Sequence, residues 1–294
     1  MRIVFIGCVG FSFDCLKKLI EIKADIVGIV TKETSDFNSD FCDLTAIANQ
    51  NNIQVKQVRD INHPNNISWI KSHNPDIMFC FGWSNLLKDD LLNVAKMGVV
   101  GYHPADLPNN KGRHPLIWAK VLGLDESAST FFFMDESADG GDILNQKKII
   151  ISFEESAAEL YGKMTITALL QIEEFLPQLV MGIFPRIPQD RTIGNHWRKR
   201  GKGDGYIDFR MTTKDICNLV RALSKPYAGA HCNYEGLEYK VWKVEPANFV
   251  GKNIEPGKIL KLIGNVIEVK TADASILIQE HEIVELPVIN SYFL

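Results

Sequence analysis

The fold is decided by the stretch Arg2–Ile20, which reads RIVFIGCVGFSFDCLKKLI. Its first part is a short, continuous apolar run that ends at Gly7, and such a run predicts a strand buried on both faces. Its second part repeats apolar residues with the spacing of one helix face, at Phe13, Leu16 and Ile20. A buried strand followed directly by an amphipathic helix is typical of a parallel sheet with helices packed on it.

Strand-like and helix-like segments continue to alternate from residue 24 to residue 103. The helical segments are DLTAIANQNN (43–52) and NNISWIKSHN (65–74). The strand-like segments are ADIVGIVT (24–31), IQVKQV (53–58), PDIMFCFG (75–82) and MGVVGYH (97–103). This order predicts an α/β fold, with a doubly wound, mostly parallel sheet of Rossmann-like type.

The pattern changes after Ser129. Two strand-like segments, STFFFM (129–134) and ILNQKKIIIS (143–152), flank a loop rich in Asp and Gly, and residues 153–182 predict a long amphipathic helix. Residues 185–206 are basic and rich in Gly and Pro, which is typical of a linker. We therefore predict a catalytic domain over residues 1–184, a linker over 185–206 and a second domain over 207–294.

The second domain is predicted to be one helix followed by a small antiparallel β-barrel of OB-like type. The helix is TTKDICNLVRAL (212–223), with Thr212 or Thr213 as its N-cap. Short strand-like segments follow it, separated by regularly spaced turn signals.

Composition argues against several classes of protein. The formal net charge of -4 is not typical of a nucleic-acid-binding protein. Six cysteines stand singly, without the spacing of zinc or redox sites, and suit a reduced, cytoplasmic setting. No apolar run approaches the roughly 20 residues of a membrane-spanning helix, so no membrane partner is expected. The N-terminal run predicts a strand rather than an export signal.

The glycines after the first strand do not form a dinucleotide-binding fingerprint. The segment GCVGFS carries only Gly7 and Gly10, whereas the fingerprint is GxGxxG. A tight turn between strand and helix is favoured.

A histidine stands where a strand of the predicted sheet ends, in HPADLPNNKGRHPLIWA (103–119). Open parallel sheets bind ligands at the carboxyl ends of their strands, which makes His103 a candidate functional residue. Pro104 and Pro108 stiffen the loop, and Gly112 allows close approach of the backbone. A structural histidine is the equally open alternative.

A cluster of carboxylates lies in the loop MDESADGGDIL (134–144), at Asp135, Asp139 and Asp142. The plain interpretation is a solvated turn. A divalent cation is a competitor, but the EF-hand spacing and its terminal Glu are missing, so no metal site is predicted. The functional interpretation is a carboxylate that orients a histidine.

These segments resemble the folate-dependent formyltransferases, the family that acts on methionyl-tRNA, glycinamide ribonucleotide and nucleotide-sugar amines. The segments MRIVFIG, FSFDCLKKL, PDIMFCFGWSNLL and WRKRGKGDGYIDF are similar to family segments, so the resemblance covers nearly the whole chain. The family pattern is Asn-x-His-x-Ser-Leu-Leu-Pro, then a Gly and a Pro, then Asp-x-Gly. Its matches here are His103, Leu107, Pro108, Gly112, Pro115 and Asp139–Gly141.

The resemblance implies N10-formyltetrahydrofolate as the formyl donor and a primary amine as the acceptor. His103 is then the proton shuttle, because the unperturbed imidazole titrates near neutrality, and Asp139 orients it. One position departs from the pattern, because the family Asn falls on Gly101. That Asn would donate a hydrogen bond to the tetrahedral oxyanion, a contribution of about 10²–10³ in rate. A protonated His103, a backbone N–H, a water or Asn85 are the substitutes that the sequence leaves open.

The resemblance also implies that the folate ring lies between two backbone segments. The residues expected to contact it are Trp83, Ser84, Asn85, Leu86 and Leu87 from one segment, and Met134, Asp135 and Glu136 from the other. The alternative for Leu86 and Leu87 is a place in the core.

The acceptor implied best is a nucleotide-linked amino sugar. Residues 207–294 carry ten Lys and Arg against eleven Asp and Glu, which leaves no electrostatic footprint for transfer RNA. Lys111, Arg113 and His114 follow the histidine loop and are predicted to meet acceptor phosphates, together with Tyr102. The segment WRKRGKGDGYIDF particularly resembles the sugar branch, and the departure at Gly101 suggests a nonulosonic or other surface-glycan acceptor.

Two alternatives remain open on the sequence alone. The first is a methionyl-tRNA formyltransferase. The second is a folate- or nucleotide-binding homologue that has lost catalysis, which the departure at Gly101 motivates. The sequence also leaves a homodimer open.

Overall fold

A computed structural model of the chain describes residues 1–34 and 40–293. These residues form two compact units. The first draws on residues up to Pro115 and on Glu126–Ile149 and Gly162–Trp197, and the second on Leu116–Asp125, Ile150–Tyr161 and the residues from Arg198 onward.

The strands and helices predicted from the sequence occur in the predicted order, and the structure adds α4, β6, β9 and a 3₁₀ turn. In chain order the strands are β1 (Ile3–Ile6), β2 (Ile26–Thr31), β3 (Val55–Gln57), β4 (Ile77–Cys80), β5 (Val99–His103), β6 (Lys111–Gly112), β7 (Glu126–Phe133), β8 (Ile143–Ile150), β9 (His196–Trp197), β10 (Ala230–Tyr234), β11 (Leu237–Ala247), β12 (Ile259–Ile263), β13 (Val266–Lys270) and β14 (Ser275–His281). The helices are α1 (Gly10–Glu21), α2 (Thr45–Gln50), α3 (Pro64–Ser72), α4 (Asp89–Leu92), α5 (Pro115–Val121), α6 (Ala157–Met181) and α7 (Thr213–Ala222), with a 3₁₀ turn at Lys202–Gly205.

The first unit is built on a seven-stranded sheet in the order β3-β2-β1-β4-β5-β7-β8. The first five of these strands run parallel, and β7 pairs with β5 in the antiparallel direction. Every residue of β1 and β4 is buried, which explains why both strands read as continuous apolar runs. The strand order reverses between β1 and β4, the position at which open α/β sheets bind their ligands.

The turn after β1 shows how the sequence shapes this edge of the sheet. The buried hydroxyl of Ser12 accepts hydrogen bonds from the backbone N–H groups of Cys8 (3.1 Å) and Val9 (3.2 Å). It donates one to the carbonyl of Phe81 (2.6 Å), at the end of β4. A Cβ on Gly7 would lie 2.6 Å from the same carbonyl oxygen. The turn is therefore a tight junction of two strands and a helix, and its N–H groups are already occupied.

The second unit contains a five-stranded antiparallel sheet in the order β10-β11-β14-β13-β12. Its buried face packs with α7 in one apolar cluster that includes Ile216, Val241 and Ile276. Thr212 caps α7, because its hydroxyl accepts a hydrogen bond from the N–H of Asp215 (3.1 Å). The prediction of a mostly parallel α/β sheet followed by a small antiparallel β unit is confirmed.

The described helices do not include one that is both long and apolar enough to cross a bilayer.

Replacing Ser12 by Ala should destabilise the first unit by about 2 to 3 kcal/mol, because two buried N–H groups and one carbonyl lose their partner. Urea unfolding measures the change, with Ser72→Ala as the control. Ser72 is exposed, and its hydroxyl bonds only a carbonyl of its own helix. Equal stability of Ser12→Ala and the wild type would show that the turn does not need this hydroxyl.

Candidate active site

The end of β5 presents alternate residues to opposite faces of the sheet. Gly101 and His103 share one face, and Tyr102 lies on the other. The Tyr102 ring stacks on Phe11 with ring centres 4.3 Å apart, and its hydroxyl accepts a hydrogen bond from Ser129 (3.1 Å). Burial raises the pKa of the Tyr102 phenol well above its usual value. The Tyr102 side chain therefore packs in the core; the residue also lines the cleft, and its contact with substrate stays a prediction.

His103 is held in one orientation by two neighbours. Its side chain is nearly buried, and its Nε2 lies 2.8 Å from the carbonyl oxygen of Asn110. A carbonyl only accepts hydrogen bonds, so Nε2 carries a proton and donates it. The other ring nitrogen, Nδ1, lies 3.7 Å from Oδ2 of Asp139. The structure thus brings together the histidine and the carboxylate that the sequence singled out.

Asp139 adopts a backbone conformation that favours glycine. Its φ is +59°, in the left-handed region, where a non-glycine residue carries a cost of about 1 kcal/mol. Its Oδ2 accepts a hydrogen bond from the N–H of Gly112 (2.9 Å). Gly112 has a φ of +101°, and a Cβ there would overlap the carbonyl of Trp197. One carboxylate oxygen therefore connects the loop after β5 with the loop after β7.

Of the two glycines after Asp139, Gly141 is required by close approach of the backbone, whereas Gly140 lies close to the side chain of Ser137. A Cβ on Gly141 would overlap the carbonyl oxygen of Phe133, and one on Gly140 would overlap the hydroxyl of Ser137. The Gly-Gly pair lets the chain fold back against the end of β7 and deliver Asp139 to His103.

Gln189 supports the same loop from behind and was missed by sequence reasoning. Its Nε2 donates hydrogen bonds to the carbonyls of Asp139 (2.9 Å) and Gly141 (2.7 Å). Gln189 is 9% exposed and falls inside the segment 185–206 that the sequence analysis assigns to a linker. Pro185 and Pro188 are the signal of a fixed backbone there, but nothing in the sequence indicates which loop the amide would reach.

The residues 186–197, called the strap below, pack along both loops of the site. Asn195 accepts a hydrogen bond from the N–H of Asn110 (2.9 Å), and β9 pairs with β6. On the other loop, Arg186 pairs with Asp142 (3.4 Å). The strap belongs to the first compact unit.

The three carboxylates of the acidic loop have separate partners. Asp135 pairs with Arg191 (2.8 Å), Asp142 with Arg186, and Asp139 faces His103. Within residues 1–34 and 40–293, no group of three or more His, Cys, Asp and Glu side chains is arranged to hold a metal ion.

A cleft of about 230 Å³ opens at the carboxyl edge of the parallel strands. Its wall includes the turns after β1 and β4, the backbone of β5 and the two loops described above. The residues that line it include Gly82, Trp83, Ser84, Gly101, Arg113, Met134 and Asp139. The cleft therefore lies at the switch point of the sheet, where the topology predicts a ligand.

Met134 occupies the space that a side chain at position 101 would need. A Cβ on Gly101 would lie 2.8 Å from Cγ of Met134 and 3.1 Å from its Sδ, and also 3.1 Å from the ring of Phe132. Gly101 and Phe132 are opposite each other in the β5–β7 pair. The missing side chain is therefore replaced by a thioether from the adjoining loop rather than by empty space.

Of the first predicted folate segment, only the beginning lines the cleft. Trp83 and Ser84 do so, and the indole Nε1 of Trp83 has no hydrogen-bond partner among the described residues. Asn85 instead accepts a hydrogen bond from Lys32 Nζ (3.2 Å). Leu87 belongs to the apolar core, whereas Leu86 is 64% exposed.

Of the second predicted folate segment, Met134 lines the cleft. Asp135 accepts a hydrogen bond from the N–H of Ser137 (2.8 Å) and pairs with Arg191, so its carboxylate shapes the loop. The exposed Glu136 does not line the cleft.

The basic residues after His103 are placed differently from one another. Arg113 lines the cleft. Lys111 is 6% exposed, and its Nζ is 3.9 Å from the ideal Cβ position of Gly140, so it packs behind the acidic loop. His114 has a φ of +57° and precedes the first residue of α5. Among the three, only Arg113 is in place to meet a ligand in the cleft.

The thiols near the cleft are poor nucleophiles. Burial raises the pKa of Cys80, which lines the cleft, well above its usual value, and raises the pKa of Cys8 to about 11. Since the thiolate is the reactive form, neither side chain supports covalent catalysis at neutral pH.

Replacing Gly141 by Ala should separate the acidic loop from its partner loop, because the added Cβ has no room beside Phe133. The expected result is a displaced amide-proton resonance for Gly112, whose N–H bonds Asp139, measured by NMR. Gly162→Ala is the control, since nothing surrounds a Cβ at that helical position. An unchanged Gly112 resonance in Gly141→Ala would show that the loop tolerates a side chain.

Several solved structures share this fold. WlaRD, a sugar 3N-formyl transferase crystallised with dTDP and 5-N-formyl-THF, is 18% identical with a TM-score of 0.69, and the match covers 95% of this chain and 97% of that one. The N-formyltransferase from Helicobacter canadensis, crystallised with folinic acid and dTDP-3-aminofucose, is 17% identical with a TM-score of 0.68, covering 95% and 99%. HypX from Aquifex aeolicus is 19% identical with a TM-score of 0.68 over 96% of this chain, which spans only 45% of HypX.

The match to protein families is more specific. The model described as formyl transferase, C-terminal domain, matches residues 200–287. The model described as formyl transferase matches residues 1–169, which include β5, both loops of the site and the cleft. Since that match covers more than half of the chain, the protein belongs to the formyl transferase family.

Proposed function

We propose that this protein transfers a formyl group from N10-formyltetrahydrofolate to the primary amine of a nucleotide-linked amino sugar. The observation that carries the proposal is the arrangement of His103 and Asp139. The Nε2 proton of His103 is committed to a backbone carbonyl, so Nδ1 has the lone pair available for a proton. That atom faces Asp139, which lines the cleft, whereas the buried His103 does not itself line it.

The reaction needs one proton acceptor and one stabiliser of negative charge. The amine nitrogen attacks the formyl carbon, and a tetrahedral intermediate with an oxyanion forms. His103 Nδ1 takes the proton that the attacking nitrogen loses, and the resulting imidazolium is stabilised by the Asp139 carboxylate. When the intermediate collapses, the bond from the formyl carbon to N10 breaks, and the same proton passes from His103 to N10 of the departing tetrahydrofolate.

Fewer groups are placed to supply the hydrogen bond of the missing family Asn than the sequence alone leaves open. Asn85 does not line the cleft, so it is not placed to replace that Asn. A side chain at position 101 is blocked by Met134. Since Nε2 of His103 is bonded to the Asn110 carbonyl and Nδ1 faces Asp139, we infer that a backbone N–H or a bound water meets the oxyanion.

The formyl donor is assigned to the part of the cleft lined by Trp83, Ser84 and Met134. An indole and a thioether suit the flat, aromatic pterin, and a hydroxyl suits its polar edge. The cleft volume is below the roughly 300–1,000 Å³ of a site for a whole drug-sized ligand. It therefore suits the reacting end of the folate, with the rest of the donor outside it.

We assign the class of acceptor from the positive charge in the cleft and the net charge of the chain. Arg113 lines the cleft, and its guanidinium is suited to a phosphate of a nucleoside diphosphate. The overall charge of -4 disfavours a transfer RNA, which binds through many neutralised phosphates. Two structures with this fold were solved with a thymidine nucleotide or nucleotide sugar, which supports the same class of acceptor. We extend the proposal to precursors of nonulosonic, pseudaminic-type or other surface glycans.

One observation favours a second candidate, a folate- or nucleotide-binding protein without catalysis. The oxyanion donor is absent at Gly101, and Met134 fills its place. The paired arrangement of His103 and Asp139 weighs against this candidate, since binding alone does not need it.

A panel of acceptors should separate these functions. We expect formylation of one or more nucleotide-linked amino sugars from N10-formyltetrahydrofolate, read by mass spectrometry. His103→Ala should lower the rate by about 10²–10⁴-fold without loss of folding, because the proton acceptor is gone. His63→Ala is the control, since His63 is exposed and caps α3.

Three outcomes would contradict the proposal. Formylation of methionyl-tRNA but of no sugar would assign the other branch of the family. Tight folate binding with no acceptor turned over would assign the binding protein. A fully active His103→Ala variant would remove His103 from the mechanism.

Restoring the family residue should not restore a faster enzyme. Gly101→Asn is expected to be less stable and less active than the wild type, because its Cβ meets Met134. In Gly101→Asn combined with Met134→Ala, space is released, and the activity should recover relative to Gly101→Asn alone. Thermal melting and initial rates of the three proteins check this. A stable, active Gly101→Asn single variant would show that Met134 moves aside freely.

A further inference from the structure

The acidic loop has little regular structure of its own to hold Asp139 in place. Asp139 stands in the left-handed region, where its conformation must be supported by neighbouring contacts. Its carboxylate is held on one side by the N–H of Gly112. The position of its backbone depends on what bonds the loop carbonyls.

Gln189 bonds two of those carbonyls at once. Its Nε2 donates to the carbonyls of Asp139 and Gly141, at 2.9 and 2.7 Å, so both protons of the amide are used. The two acceptors decide the orientation of the amide, because an oxygen in that place would face two other oxygens. Among the described residues the buried Oε1 atom of Gln189 has no hydrogen-bond partner, so the contacts of this amide are those of its nitrogen.

Other contacts of the strap do not replace this one. Arg186 with Asp142 and Arg191 with Asp135 are ion pairs between partly exposed side chains, and such pairs contribute only about 0–1 kcal/mol. Gln189 is buried, so the loss of its two hydrogen bonds would leave two carbonyls without partners. One of these two hydrogen bonds holds the backbone carbonyl of Asp139, the residue that faces His103.

We propose that Gln189 is a positioning residue for the reaction: it holds the Asp139 backbone so that the carboxylate reaches both Gly112 and His103. This inference rests on the proposed function only for its kinetic consequence. The geometric consequence, a displaced Asp139, follows whatever the acceptor is.

The direct test compares Gln189→Glu and Gln189→Met with the wild type. Glu keeps the shape but offers no donor, and Met keeps the approximate length without a polar end. We expect kcat to fall at least tenfold in both, since misplacement of a catalytic group by about 1 Å is able to cost about 10²-fold. The KM for the folate donor should change little, because Gln189 does not line the cleft.

The matched control is Thr192→Val, on the same strap. Thr192 is exposed, and among the described residues its hydroxyl bonds the neighbouring Asp190 alone. Its kcat and KM should equal those of the wild type. If Thr192→Val loses as much kcat as Gln189→Met, the strap acts as a whole and the assignment to Gln189 is wrong.

A spectroscopic readout separates this inference from the proposed function. The amide proton of Gly112 and the imidazole ¹⁵N resonances of His103 should move in both Gln189 variants and stay in place in Thr192→Val. This measurement needs no turnover, so it stands even if the acceptor proposal fails. Unchanged resonances in a folded Gln189→Met protein, or a kcat equal to the wild type, would overturn the inference. If one variant does not fold, the other decides.

Discussion

The hydrogen bond from the N–H of Gly112 to the carboxylate of Asp139 is the contact on which the site depends. It joins two loops that leave different strands of the sheet, and the same oxygen faces His103. Each loop has glycines where a side chain would overlap backbone, so neither conformation survives substitution there. This one hydrogen bond therefore fixes the carboxylate that faces His103, the proton acceptor of the proposed reaction.

The sheet determines where the cleft lies, and the loops at its edge position the candidate catalytic side chains. Reversal of the strand order between β1 and β4 opens the edge at which the cleft lies, and the buried Ser12 hydroxyl connects the turns that border it. The histidine then arrives at the end of β5 with its ring orientation decided by the Asn110 carbonyl. The strap contributes no residue to the lining of the cleft, yet Gln189 supports the loop that does.

The order of strands and helices was predictable from the sequence because buried parallel strands are continuous apolar runs, as in residues 3–6 and 77–80. His103 was singled out by its place at a strand end and Asp139 by the family resemblance; the structure brings the two side chains near each other, and their catalytic roles stay predictions. The orientation of Tyr102 depends on which face of the sheet its side chain takes, which the sequence does not state. The contacts of Asn85 and Asp135 are with Lys32 and Arg191, which are distant in the chain. Gln189 lies 50 residues from Asp139, so no local pattern connects them.

Met134 fills the space that a side chain at position 101 would need, and this limits which substitutions the two positions accept. The two positions compete for the same space. Gly101 belongs to β5, and Met134 belongs to the loop after β7, the strand that pairs with β5. A larger residue at the first requires a smaller one at the second. A chain with an amide at position 101 and a chain with a thioether at position 134 would thus be separated by an intermediate that is either overcrowded or loosely packed. The pair should therefore vary together among related chains, and an ancestor would cross between the two arrangements only rarely.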